Sequence, residues 1–109
     1  MNEQLEMICF QMITSAGEAK SYYMEALQAV KEKNFQKAEE LIAQGEESFA
    51  EVHHAHSELI QKECAGEAVE MSLLMAHVED QMMSVETIKI MIMEVSELYK
   101  ILFTLMEEK

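Results

Sequence analysis

Apolar residues recur at spacings of three and four along three long runs of this chain, and each run predicts a helix. The first covers about residues 3–31. Leu5, Ile8, Cys9, Met12, Ala16, Ala19, Tyr23, Ala26, Leu27 and Val30 form one narrow stripe along it. Gly17 lies between Ala16 and Ala19, and its expected use is close approach of another helix. Lys31-Glu32-Lys33-Asn34 interrupts the stripe with polar residues and reads as a short turn. The second run covers about 35–64, with Phe35, Ala38, Ile42, Gly45, Phe49, Val52, His53, His56 and Ile60 on the side expected to be buried. Gly66 supplies its stop signal. The third run, about 69–107, is the longest. Short connections between long helices predict an all-α, antiparallel up-down-up three-helix bundle, with residues 1–109 as a single domain.

Composition narrows this further. Half of the residues are hydrophobic, with no Pro and only 3 Gly, which disfavours both disorder and a turn-rich β fold. A net charge of −13, from 8 Lys+Arg against 21 Asp+Glu, argues against nucleic-acid binding and a polybasic membrane anchor. No basic leader opens the chain, and no apolar run approaches the roughly 20 residues of a membrane span, so a cytoplasmic protein is expected. Cys9 and Cys64 stand singly in helical segments and read as reduced structural thiols. The 11 Met residues read as core and interface filler rather than a copper site.

The third run carries the chemical anomaly. With His77 set as zero on a helical wheel, Leu73, Leu74, Asp80, Gln81, Ser84, Ile88, Met91, Ile92, Val95, Leu98, Tyr99 and Leu102 fall within about 60° of it. The stripe is apolar toward its C-terminal end. Toward its N-terminal end His77, Asp80, Gln81 and Ser84 occupy what read as core positions, which is costly unless they are paired or functional. Met75, Met82 and Met93 mix with glutamates on the opposite side. A helix this apolar around its girth needs more cover than two neighbours supply, which predicts a homo-oligomer. An imidazole nitrogen is a good nucleophile toward phosphorus, and Leu73, Leu74 and Val78 are candidates for an apolar ring around His77. The plainer alternative is a core histidine satisfied by hydrogen bonds. His53 and His56, three residues apart on the second helix, raise a weaker metal-site alternative together with His77.

Four segments, in order, resemble the enzyme IIA component of the lactose/cellobiose class of bacterial sugar phosphotransferase systems. They are Ile13-Thr14-Ser15-Ala16-Gly17-Glu18-Ala19-Lys20-Ser21, Phe35-Gln36-Lys37-Ala38-Glu39, Ala50-Glu51-Val52-His53-His54-Ala55-His56-Ser57 with Glu63-Cys64-Ala65-Gly66-Glu67, and Leu74-Met75-Ala76-His77-Val78-Glu79-Asp80-Gln81-Met82-Met83. The last resembles the family's active-site signature, H-x-Q-D-H-L-M. The resemblance covers nearly the whole chain and implies a homotrimer of three-helix subunits. It implies that His77 accepts a phosphoryl group as tele-phosphohistidine, with His53 and Gln81 in support. Asp80 would gather with its symmetry copies around the three-fold axis and hold one Mg²⁺. The implied donor is the histidine-containing phosphocarrier protein, and the implied acceptor is a cysteine of enzyme IIB, in disaccharide uptake. The chain departs from the pattern at Glu79 and His56, where Gln is common, at Gln81, where His is common, and at Ser57, where Thr is common. The alternative function is a non-catalytic oligomerisation or regulatory module, with His77 and Asp80 as a polar register device.

Overall fold

The computed structural model describes residues 2–108. Three helices make up the architecture: α1 (Glu3–Lys31), α2 (Phe35–Cys64) and α3 (Leu73–Glu107), with no strand among the described residues. The first two match the ranges expected from the sequence. The third begins four residues later, because Ser72 is its cap and residues 65–72 form a longer connection than the apolar pattern suggests.

Each helix starts on a side chain that satisfies a backbone donor of its first turn. Asn2 accepts from the Leu5 amide at 2.7 Å, Asn34 from the Lys37 amide at 3.3 Å, and Ser72 from the Met75 amide at 3.1 Å. The first two helices also end alike. After α1, the Asn34 amide reaches the Ala29 carbonyl and the Lys33 amide reaches that of Val30, with Lys33 at φ 64°. After α2, Glu67 reaches Lys62 and Gly66 reaches Glu63, with Gly66 at φ 88°. Both are Schellman closures, which need one left-handed residue. Gly66 adopts that conformation freely, whereas Lys33 holds it against the steric cost of its Cβ.

Helix α1 is the central element, packed by both other helices. Its Leu5, Cys9, Met12, Ala16, Ala19 and Tyr23 meet Phe49, Val52 and Leu59 of α2 and Met75, Val78, Met82, Val85 and Ile92 of α3. A second cluster, Ala26, Ala29, Val30, Ala38 and Leu41, closes the end near the first turn. Contacts along α1 and α2 run in opposite order: Ser15 with Glu51, Glu18 with Ser48, and Tyr23 with Gly45. The molecule is a rod of 63 × 21 × 18 Å.

Three sequence expectations need correction. The stripe centred on His77 faces the core of the chain only along one flank, where Ile92 is buried and Leu74 and Ile88 pack against the core. His77, Asp80 and Ser84 are exposed, as are Leu73, Met91, Leu98 and Leu102, while α3 packs inward through Met75, Val78, Met82, Val85 and Ile92. A helix apolar on two faces does not reveal by periodicity which face its own chain covers. Second, Gly17 is exposed and has nothing within 4 Å of where its Cβ would be. The tight approach occurs at Gly45, whose Cβ would meet the Tyr23 ring at 2.5 Å. Third, Ile60 and His53 lie outside the core, and Leu41 and Leu59 fill α2's buried face.

Candidate functional site

The first turns of α3 place His77, Asp80 and Gln81 together, because residues three and four apart share a helical face. His77 and Asp80 are exposed and Gln81 is half-buried. Among the described residues, no hydrogen bond or ion pair engages the side chain of His77 or Asp80. The imidazole is therefore available to an incoming group rather than satisfied in a core. The apolar ring expected around it is only partly formed: Leu73 is 89% exposed, Leu74 is half-buried, and Val78 is turned into the core at 1% exposure.

The other histidines have carboxylate partners. His56 Nε2 lies 2.8 and 3.1 Å from the two carboxylate oxygens of Glu79, so its ring N–H donates across the α2–α3 gap. His53 Nε2 lies 3.1 Å from Glu86 Oε1 and its ring packs edge-on against Phe49. His54 is paired with Glu58 one turn further along its own helix, on the surface. The sequence put His53 on the side of α2 expected to be buried; the structure instead sets it at the surface facing Glu86. No group of three His, Cys, Asp or Glu residues able to hold a metal ion forms among the described residues, so the His53–His56–His77 alternative lacks a site within one chain. The Glu79 and Glu86 pairings escaped the sequence reading. Their only signal was that 53 and 56 on α2, and 79 and 86 on α3, each repeat at helical spacing.

Concavity lies elsewhere. A groove of about 890 Å³ runs between α1 and α2, lined by Met7, Phe10, Ser15, Glu51, His54 and Glu58 among others, and His77 does not line it. An acceptor that receives its group from another protein needs exposure rather than a pocket, so the groove does not displace His77 as the candidate. Two groups with shifted pKa values also lie away from His77. Burial, with the Glu6 charge second, raises the Cys9 thiol. Burial and the Glu46 charge push Tyr23 up to about 12. Both are core groups of α1.

Residues 7–100 match the family described as the lactose/cellobiose-specific IIA subunit of the phosphotransferase system. The chain belongs to this family. It is 41% identical over 100 residues to the lichenan-specific phosphotransferase enzyme IIA component of Bacillus subtilis (strain 168), covering 92% of this chain and 91% of that relative. It is 40% identical over 95 residues to the oligo-beta-mannoside-specific EIIA component of the same organism, covering 87% and 86%. Its fold overlays the crystal structure of the cellobiose-specific enzyme IIA from Bacillus anthracis with a TM-score of 0.90 at 39% identity, over 95% of each chain. As a IIA subunit the chain is a phosphotransferase component. No helix among its described residues is long and apolar enough to cross a membrane.

Proposed function

We propose that this IIA subunit is a phosphocarrier in sugar uptake, with His77 as the phosphoryl acceptor. The observation that carries this reading is an exposed imidazole without a protein partner among the described residues, on the helix that bears Asp80 three residues away, in a chain of the IIA family. The donor is the phosphorylated histidine-containing phosphocarrier protein. The His77 imidazole nitrogen attacks phosphorus in line, a new N–P bond forms, and the donor's N–P bond breaks with its electron pair returning to the donor imidazole. In the second step a cysteine thiolate of enzyme IIB attacks the same phosphorus. An S–P bond forms and the His77 N–P bond breaks. The chain contributes orientation and an acceptor held ready for attack, and the sugar does not touch it.

The assembled form is an up-down-up subunit in a homotrimer. The outward stripe of α3, Leu73, Met91, Leu98, Leu102 and Leu105, supports this, since each is 49% exposed or more in the isolated chain. Exposed apolar seams of this length mark association surfaces. Asp80 lies on that stripe, and its single carboxylate cannot hold an ion alone. Three copies would offer hard oxygen donors of the kind Mg²⁺ takes, and the ion would neutralise their mutual repulsion. Metal content of the untagged trimer, wild type against Asp80→Asn, tests this. Loss of bound Mg²⁺ in the variant is expected, and equal content in both rejects it.

The function itself is tested with His77→Ala. The variant is expected to fold and assemble while losing phosphoryl transfer from the protein donor completely. A base-stable, acid-labile phosphate that persists in His77→Ala overturns the assignment. A wild-type trimer that accepts no phosphate at all favours a non-catalytic oligomerisation module instead.

A further inference from the structure

At one edge of the bundle α2 and α3 are bridged by polar side chains: Glu46 with Lys89, His53 with Glu86, and His56 with Glu79. The last pair is the most buried of the three, with side-chain exposures of 20% and 34%. It is also the one nearest the start of α3. Residues 65–72 precede that helix as a connection, so upstream of His77 only the first turn of α3, with Met75 in the core, holds its rotation.

The turn from His77 to Asp80 has two anchors. Val78 is inserted in the core, at 1% exposure, and Glu79 is tied to α2. Val78, with Met75 and Met82 buried on either side of it, sets which face of α3 turns inward, but these apolar contacts are non-directional and leave small rotations open. The single His56 Nε2–H, shared between the two Glu79 carboxylate oxygens at 2.8 and 3.1 Å, is directional and fixes that rotation. His77 and Asp80 occupy the remaining arc, so the direction in which they project follows from where Glu79 is held. We propose that His56 is a positioning residue for phosphoryl transfer: its hold on Glu79 sets the orientation of the α3 turn that presents His77 to a docked partner. This rests on the reading of His77 as the acceptor.

The test compares two phosphoryl donors. A docked protein donor needs His77 at one orientation, whereas phosphoramidate, a small phosphoryl donor, reaches an exposed imidazole from many directions. In His56→Ala, transfer to His77 from the phosphorylated phosphocarrier protein should fall by about tenfold or more, since misplacement of a reacting group by about 1 Å costs as much as a hundredfold. Labelling by phosphoramidate should stay within about twofold of wild type. His56→Gln keeps an N–H donor for Glu79 and should restore the protein-donor rate. Glu79→Ala should match His56→Ala, and the double variant should be no slower than either single one. Equal loss with both donors, no rescue by Gln, or multiplied effects in the double variant overturn the proposal.

Amide hydrogen exchange across residues 73–81 reads the same device without phosphate. Faster exchange in His56→Ala but not in His56→Gln is expected, and unchanged exchange in both overturns the proposal. If the wild type accepts no phosphate from the protein donor, the functional reading fails, and the exchange measurement still decides whether His56 positions α3.

Discussion

Tyr23 concentrates the residue-scale physics of the core. It is fully buried, its ring packs against Gly45, and its hydroxyl has no hydrogen-bond partner among the described residues. An orphan hydroxyl carries its desolvation cost uncompensated, so Tyr23→Phe should be as stable as wild type at neutral pH, or more stable by up to about 1 kcal/mol. The same burial raises its pKa from the ordinary value near 10 to about 12. A raised pKa means that the folded state holds this proton more tightly than the unfolded state. The contribution to stability is therefore complete below pH 10 and is lost as pH rises from 10 to about 12. Urea midpoints across that window should fall more steeply for wild type than for Tyr23→Phe. Parallel slopes would rule out Tyr23 as the source. Cys9, raised by burial, acts in the same direction at lower pH.

At the scale of elements, two glycines on similar helices have opposite meanings. Gly45 lets α2 approach α1, and a Cβ there would stand 2.5 and 2.8 Å from ring carbons of a buried tyrosine. Gly17 faces open space. Alanine favours helix over glycine by about 1 kcal/mol at either position. Gly17→Ala should therefore stabilise by roughly 0.5–1 kcal/mol. At Gly45 the clash outweighs propensity, because a ring fixed by packing cannot retreat as a flexible side-chain end can. Gly45→Ala should lose about 1–3 kcal/mol. Chemical denaturation of both variants measures this, and shifts of the same sign would contradict the packing described. From sequence, Gly17 had the stronger claim to the close contact, with alanine neighbours on its stripe. Periodicity marks a face as small but not which neighbour comes close to it.

For the whole molecule, the third helix determines behaviour. Its inward face completes the chain's own core, and its outward face leaves Leu98 65% exposed within a long apolar seam. Leu98→Glu puts a charge on that seam without touching the core. Sedimentation equilibrium should report smaller assemblies for it, with helical content unchanged, because desolvating an unpaired carboxylate opposes association. Unaltered mass would place the assembly surface elsewhere. The charge of −13 acts at the same scale: it keeps the rest of the surface solvated while the seam remains apolar.

The sequence by itself determined the three helices, the ends of the first two, and the membership of His77 and Asp80 on one helical turn. Those features depend on local spacing, caps and stop signals, which act within a few residues. It left undecided which of two apolar faces of α3 turns inward, because both repeat with the helical period. Only the tertiary structure chose Met75, Val78 and Met82 for the core and turned His77 outward. It also joined His56 to Glu79 across 23 positions of sequence, a contact made when α2 and α3 dock beside α1. Such a pair has no local signature, since the distance that matters to a hydrogen bond is measured through space.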